Sequence, residues 1–454
     1  MLDRRRFLTA SVAGLAATPA AASSLFSDAT TAAMRGSIAI ADHGVRPGAL
    51  DDQSKAFDRM LRKASDADAP VFLPPGVYVV SNITLPRRVR LTGVPGATRI
   101  VYGGDGHFLL AEDAERIELT GLVLDGANRW LGDHVNGAVD IRSTPRLVLD
   151  NTTVIGSAKN GVALERVGGR IDRSEISGAA DAGLWSVGAT GLAISGNTVA
   201  DCANGGILVH RWQTGEDGTI ISGNRVERIA ARNGGTGQFG NGINVFRAGN
   251  VTITGNQVSD CAFSAIRSNS GGNVQISGNT CLRSGETAIY SEFVFEGAAI
   301  SGNIVDGAAN GISVVNFNEG GRMAVVSGNI VRNMRTVGPY PGDPPGFGTG
   351  IAVEADTVAS GNVIDSAPLY GMHLGWGPFL RNVVATGNVI RDVGEGIAVS
   401  VVEGVGSAVI TDNAIEGARR GGVVGHRWTE AVTGDLAVDG SDRPGLVVER
   451  NRVS

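Results

Sequence analysis

Ser195-Gly196-Asn197, Ser222-Gly223-Asn224 and Ser277-Gly278-Asn279 are copies of one phrase, and its reading decides the fold. In full the phrase runs Ser/Thr-Gly-Asn, an apolar residue, about six further residues, then Gly-Ile or a near equivalent. Clear copies centre on Asn197, Asn224, Asn256, Asn279, Asn303, Asn329, Asn362 and Asn388, with degenerate ones at Asn151, Ser174, Asn413 and Asn451. A period of roughly two dozen residues marks a stacked array. Between the marks lie short alternating apolar runs such as Leu192-Ala193-Ile194, Ile207-Leu208-Val209 and Val274-Gln275-Ile276. They read as strands, with no helical period. A propeller blade needs ~40 residues, and a leucine-rich repeat shows its leucines. The remaining fit is an all-β solenoid: a single-stranded parallel β-helix with one coil per repeat.

The repeated Asn belongs to the scaffold. Asn and Gly tolerate the left-handed backbone of a tight corner, and like residues in stacked coils lie one above another at the ~4.8 Å strand spacing. An inward Asn column then bonds to itself along the axis. Function has to be sought elsewhere.

Composition sets the outer bounds. The 67 glycines among 454 residues suit many corners, and 42% hydrophobic content fills a long narrow core. A formal charge of −6 gives no basic footprint for nucleic acid. Cys202 and Cys261 fall two coils apart, ~10 Å at the strand spacing, which is too far for a disulfide. The six histidines are scattered, so no metal and no cofactor is expected.

Residues 1–22 read as an export signal: Arg4-Arg5-Arg6-Phe7-Leu8, an Ala-rich apolar stretch, and a small-residue cleavage pattern near Ala22. The paired arginines followed by Phe-Leu are similar to a twin-arginine signal, which implies a periplasmic or secreted protein that folds before export. The stretch is too short for a membrane span, and the mature chain is not expected to insert into a membrane. Residues 36–80 read as a cap. Ile38-Ala39-Ile40 is a short strand, and Asp52 is the N-cap of an amphipathic helix over Gln53–Ser65 whose apolar face carries Ala56, Phe57, Met60, Leu61 and Ala64. Such a helix shields the open end of the stack. From 81 to 454 the chain is coil after coil.

The order Asp42-His43-Gly44, Asp51-Asp52, helix, Leu73-Pro74-Pro75-Gly76-Val77-Tyr78 resembles the N-terminus of pectate-lyase-like β-helix proteins. With the Ser-Gly-Asn repeats, the paired-arginine start resembles, more narrowly, a family of twin-arginine-translocated repeat proteins. The resemblance covers most of the chain and implies a right-handed parallel β-helix outside the cytoplasm. It carries over no activity: the Asn-Thr-Asp, paired Asp and His-Gly pattern of polygalacturonases is missing, as is the aspartate and Arg set of calcium-dependent pectate lyases.

Register points to a site. Two coils carry insertions, Ala231–Gly240 and Met334–Thr349, and insertions emerge on one side of a solenoid, often the binding side. They bracket coils with short corners: two walls and a floor. By strand alternation the floor presents Asn244, Phe246, Arg267, Asn269, Tyr290, Glu292 and Ser313 outward, with His210 and Glu354 at its ends. Amides, Arg and exposed rings suit a sugar surface. The plain alternative is that outward positions are polar because they meet water.

Glu292, Arg267 and Tyr290 lie on adjacent coils and are the catalytic candidates for a lyase or epimerase. Glu292 and Glu354 share one column ~10 Å apart, near the inverting range of glycoside hydrolases. Ion pairing of Arg267 with Glu292 is the structural rival. Asn244, Phe246, Asn269, Ser313, Glu354, His210 and Trp212 are the substrate-binding candidates. The duplicated His210-Arg211-Trp212 and His426-Arg427-Trp428 is either repeat duplication or a pair of sugar-stacking tryptophans, with Trp376 between. The expected partner is a polysaccharide or oligosaccharide over residues 243–317. The other reading is a non-catalytic periplasmic or cell-surface protein that binds a glycan or a protein.

Overall fold

A computed structural model describes residues 36–454, and the expected export signal over 1–22 lies outside them. The described chain winds through three sheets of fifteen strands each, in which strands of successive coils pair side by side in parallel up to the last strand of the third sheet. This is a right-handed parallel β-helix. Its interior is a set of aliphatic stacks. Ile194, Ile221, Ile253, Ile276 and Ile300 lie in register in the first sheet. Ile207, Ile243, Ile266, Ile289, Ile312 and Ile351 do so in the third. All are buried, which supplies the main stabilising term.

The repeated phrase divides its work between neighbours. Gly196, Gly223 and Gly278 take the left-handed turn, at φ of +65°, +63° and +63°. The Asn that follows is the ladder. Asn197 Nδ2 donates to Asn224 Oδ1 at 3.0 Å and to the Ile171 carbonyl at 2.9 Å, while its Oδ1 accepts the Ser174 amide at 2.9 Å. The side-chain relay continues rung by rung to Asn451. One expected rung is displaced: Asn151 itself takes the left-handed turn at φ +46°, and buried Thr152 occupies the column, its amide donating to Ser174 Oγ at 3.2 Å.

At the start, helix α1 (Ser54–Asp66) buries Phe57, Met60, Leu61 and Ala64 over the first coils. Asp52 serves its N-terminus from one position further out than expected, accepting the Ser54 amide at 2.8 Å while Gln53 stands at the cap. Ile38 makes only a single bridge to Val71, and Ile40 opens a 3-10 turn in place of the expected strand. The first coil strands are Val71–Phe72 and Gly76–Val80. At the far end Glu430–Asp435 folds back antiparallel on Val423–Arg427 and closes the third sheet. Cys202, Cys261 and Cys281 are free and buried, and burial pushes all three thiols up.

Both insertions leave the second sheet and re-enter the third. The first runs from Ile229 to Asn241 and the second from Met334 to Thr349, with Met334 and Thr349 themselves in strands. Both therefore rise at the same edge of the third sheet.

Candidate functional site

The outer face of the third sheet carries the expected columns. Leu208, Asn244, Arg267, Tyr290, Ser313, Ala352 and His373 lie in one register line. His210, Phe246, Asn269 and Glu292 lie in the next. Glu354 follows Val353, the register partner of Val314, and so continues that second line two coils beyond Glu292.

The middle of this face is sealed, contrary to the expected open floor. Arg267 and Glu292 are only 8% and 2% exposed. Arg267 Nε and Nη2 grip the two Glu292 oxygens at 2.6 and 2.9 Å. Nη1 donates to the Gly237 carbonyl at 3.1 Å and to Glu286 Oε2 at 3.3 Å. Asn269 Nδ2 adds a bond to Glu292 Oε1 at 2.9 Å, and the guanidinium lies over the Tyr290 ring at 5.0 Å. Glu286 also accepts from Ser264 Oγ at 3.3 Å and from the Tyr340 hydroxyl. The first insertion contributes Gly237 and the second Tyr340, so the walls lean inward and close over the pair. Gly237 is obligatory there: at φ +131° a Cβ would meet Arg267 Nη1 at 1.8 Å.

Bidentate, buried and fully bonded, this Arg–Glu pair satisfies itself. The structural rival for Arg267 and Glu292 is thus the observed geometry, and neither group is held free for a reacting sugar.

Open space remains on either side. Toward the N-terminus, a cavity of about 400 Å³ is lined by His210, Trp212, Asn244, Phe246, Arg267 and Asn269, with Gln238 from the first insertion. Trp185 Nε1 donates to His210 Nδ1 at 3.3 Å, the His210 ring packs edge-on to Phe246, and burial pushes the imidazole down to about 4. Trp212 stands 63% exposed at the rim.

Toward the C-terminus, a cavity of about 200 Å³ is lined by Tyr290, Ser313, Glu354, His373 and Trp376, roofed by Tyr340, Asp343 and Phe347 of the second insertion. Glu354 is buried, and loss of solvent pushes its carboxyl up to about 7, only partly offset by backbone N–H bonds such as Phe317 N to Oε2 at 2.7 Å. Burial likewise holds His373 down at about 4 and raises the phenols of Tyr290 and Tyr340.

The structure adds Glu286, Gly237 and Tyr340 to the expected set. Glu286 precedes its strand, so alternation gives it no face; the other two sit in insertions that have no repeat to count from. The duplicated His-Arg-Trp lands in two different settings. His210 has its tryptophan partner, whereas His426 Nε2 meets Glu395 Oε2 at 2.7 Å, with Arg420 on the other oxygen at 2.9 Å. Trp376 and Trp428 pack edge-on with ring centres 5.3 Å apart.

Among the described residues no cluster of His, Cys, Asp and Glu is arranged to hold a metal ion, and no helix is long and apolar enough to cross a membrane. The family described as the right handed beta helix region matches residues 160–320 and 212–381. With the coil architecture, that match supports the pectate-lyase-like superfamily. No curated protein sequence matches this chain. Among solved structures, the A-module of mannuronan C-5 epimerase AlgE4 from Azotobacter vinelandii is similar at 14% identity and a TM-score of 0.51, over 81% of this chain and 99% of that one. Pre-mature gene product 12 of bacteriophage phi29 is similar at 16% identity and a TM-score of 0.51, over 86% of this chain and 55% of that one. At such identities the likeness is one of fold.

Proposed function

We propose that this chain is an exported polysaccharide-binding protein whose ligand lies along the outer face of the third sheet. The stretch over residues 243–317 forms its centre, and the two cavities are its subsites. One observation carries the reading: a single sheet face presents two cavities in line, each pairing aromatic rings with polar groups. Rings meet the apolar faces of sugars, and amides, hydroxyls and carboxylates meet their hydroxyls. The likeness to an epimerase that acts on mannuronan is in keeping with this use of the fold. Export rests on the paired arginines at residues 4–6, together with the narrower resemblance to twin-arginine-translocated repeat proteins.

Binding takes precedence over catalysis here because the groups best suited to chemistry, Arg267 and Glu292, are locked to each other. A second reading is favoured by Glu354. A buried carboxyl near neutrality is suited to general acid work, which makes glycoside hydrolysis the catalytic alternative. Glu286 lines the same cavity but is already taken up by Arg267, Ser264 and the Tyr340 hydroxyl. Asp343, on the roof of the same cavity, is the candidate for the second carboxylate.

A glycan array probed with the purified mature protein tests the binding reading. Trp212→Ala and Trp376→Ala should each lower retention at least severalfold. Full retention by both variants removes the proposed face. Release of reducing ends, lost in Glu354→Gln, would establish the hydrolytic alternative.

A further inference from the structure

The C-terminal cavity has an unusual charge balance for a sugar site. Glu286, Asp343 and Glu354 line it, and no Lys or Arg does. Two guanidinium groups stand close by and both are taken: Arg267 is held by Glu292 and Glu286, and Arg381, over the Phe317 ring, by Asp356. His373 is kept neutral by burial, so it adds no positive charge near pH 7. Glu354 is 9% exposed, and no positive neighbour contributes to its electrostatic setting. A buried carboxylate without a cation is a costly arrangement, and a cationic ligand relieves it. The same cavity is lined by four rings, Tyr290, Tyr340, Phe347 and Trp376, and ammonium groups are attracted to aromatic faces.

We propose that this cavity selects a protonated amino-sugar unit and rejects uronates. The proposal rests on the glycan reading above and narrows it to a substrate class: a polysaccharide carrying free amines, with one ammonium seated between Glu354 and Asp343 under the Tyr340–Phe347 roof. A uronate placed there brings a further carboxylate to a site with no free cation to receive it. The inference therefore parts company with the acid-sugar chemistry of the mannuronan epimerase that shares the fold.

Three β-1,4-linked hexamers that differ in one group make the test: glucosamine, glucose and mannuronate, titrated calorimetrically into the mature protein at pH 7 with EDTA present. The glucosamine hexamer should bind at least tenfold tighter than the glucose hexamer, and the mannuronate hexamer should bind weakest. Glu354→Gln should cut the glucosamine preference to a few-fold. Asp343→Asn, on an exposed loop where folding is not at stake, should lower it by a smaller factor. Equal affinity for the amine and hydroxyl forms, or mannuronate binding as tightly as glucosamine, overturns this inference and leaves the glycan reading standing. Failure of all three hexamers to bind overturns both.

Discussion

The Asn ladder and the third-sheet face are built from the same coils and obey opposite rules. Along the ladder each rung repeats the one before, from Asn197 to Asn451, because every coil must turn the same corner and every buried amide needs a partner. Across the face, neighbouring rungs differ: Asn244, Arg267, Tyr290, Ser313, Ala352 and His373 follow one another in a single column. Repetition marks what the backbone demands. Variety in a register line, coinciding with insertions, marks what the backbone leaves free for other uses.

The contrast is sharpest where the face behaves like a core. Arg267→Ala leaves two buried carboxylates, Glu292 and Glu286, without their cation, and should cost ~3–5 kcal/mol in urea denaturation. A loss near zero would mean that the middle of the face is open floor after all. Asn279→Ala removes donors to the Ile253 carbonyl and Asn303 and orphans the Asn256 amide. It should cost ~2–4 kcal/mol by the same measurement. A milder effect would show the ladder to be decoration on an aliphatic stack.

Glu354 gives a change of opposite sign. Burial raises its folded carboxyl from 4.5 to about 7, so the folded state holds the proton more tightly than the unfolded chain does. That contribution is fully present below the unfolded value and is lost as pH rises through about 7. Glu354→Gln should therefore stabilise the protein by ~2–3 kcal/mol at pH 8 and by almost nothing at pH 4, read as the difference in melting temperature between the two pH values. The smallest effect belongs to Trp212, exposed at the rim. Trp212→Ala should change stability by less than ~0.5 kcal/mol while weakening glycan retention, a separation that no ladder residue can show.

Most of the fold was legible because a period is legible. Equivalent positions can be counted off, and the register lines over Asn244, Arg267 and Tyr290 follow from that count. Errors of one residue arose where the phrase degenerates, as at Asn151, since without Gly the left-handed position passes to the Asn itself. The sealing of Arg267 and Glu292 was not legible. It depends on where Gly237 and Tyr340 come to rest, and an insertion has no register to count. Alternation tells which way a side chain points, whereas what lies above it is tertiary information.

The reversed strand Glu430–Asp435 has a consequence beyond shape. A stack of parallel coils has no intrinsic length, because its final strand offers the same template as every strand before it. Turning the chain back on itself occupies that template within one molecule. The return strand thereby blocks that template in the third sheet, and removing residues 430–439 should increase association of the protein, read by light scattering.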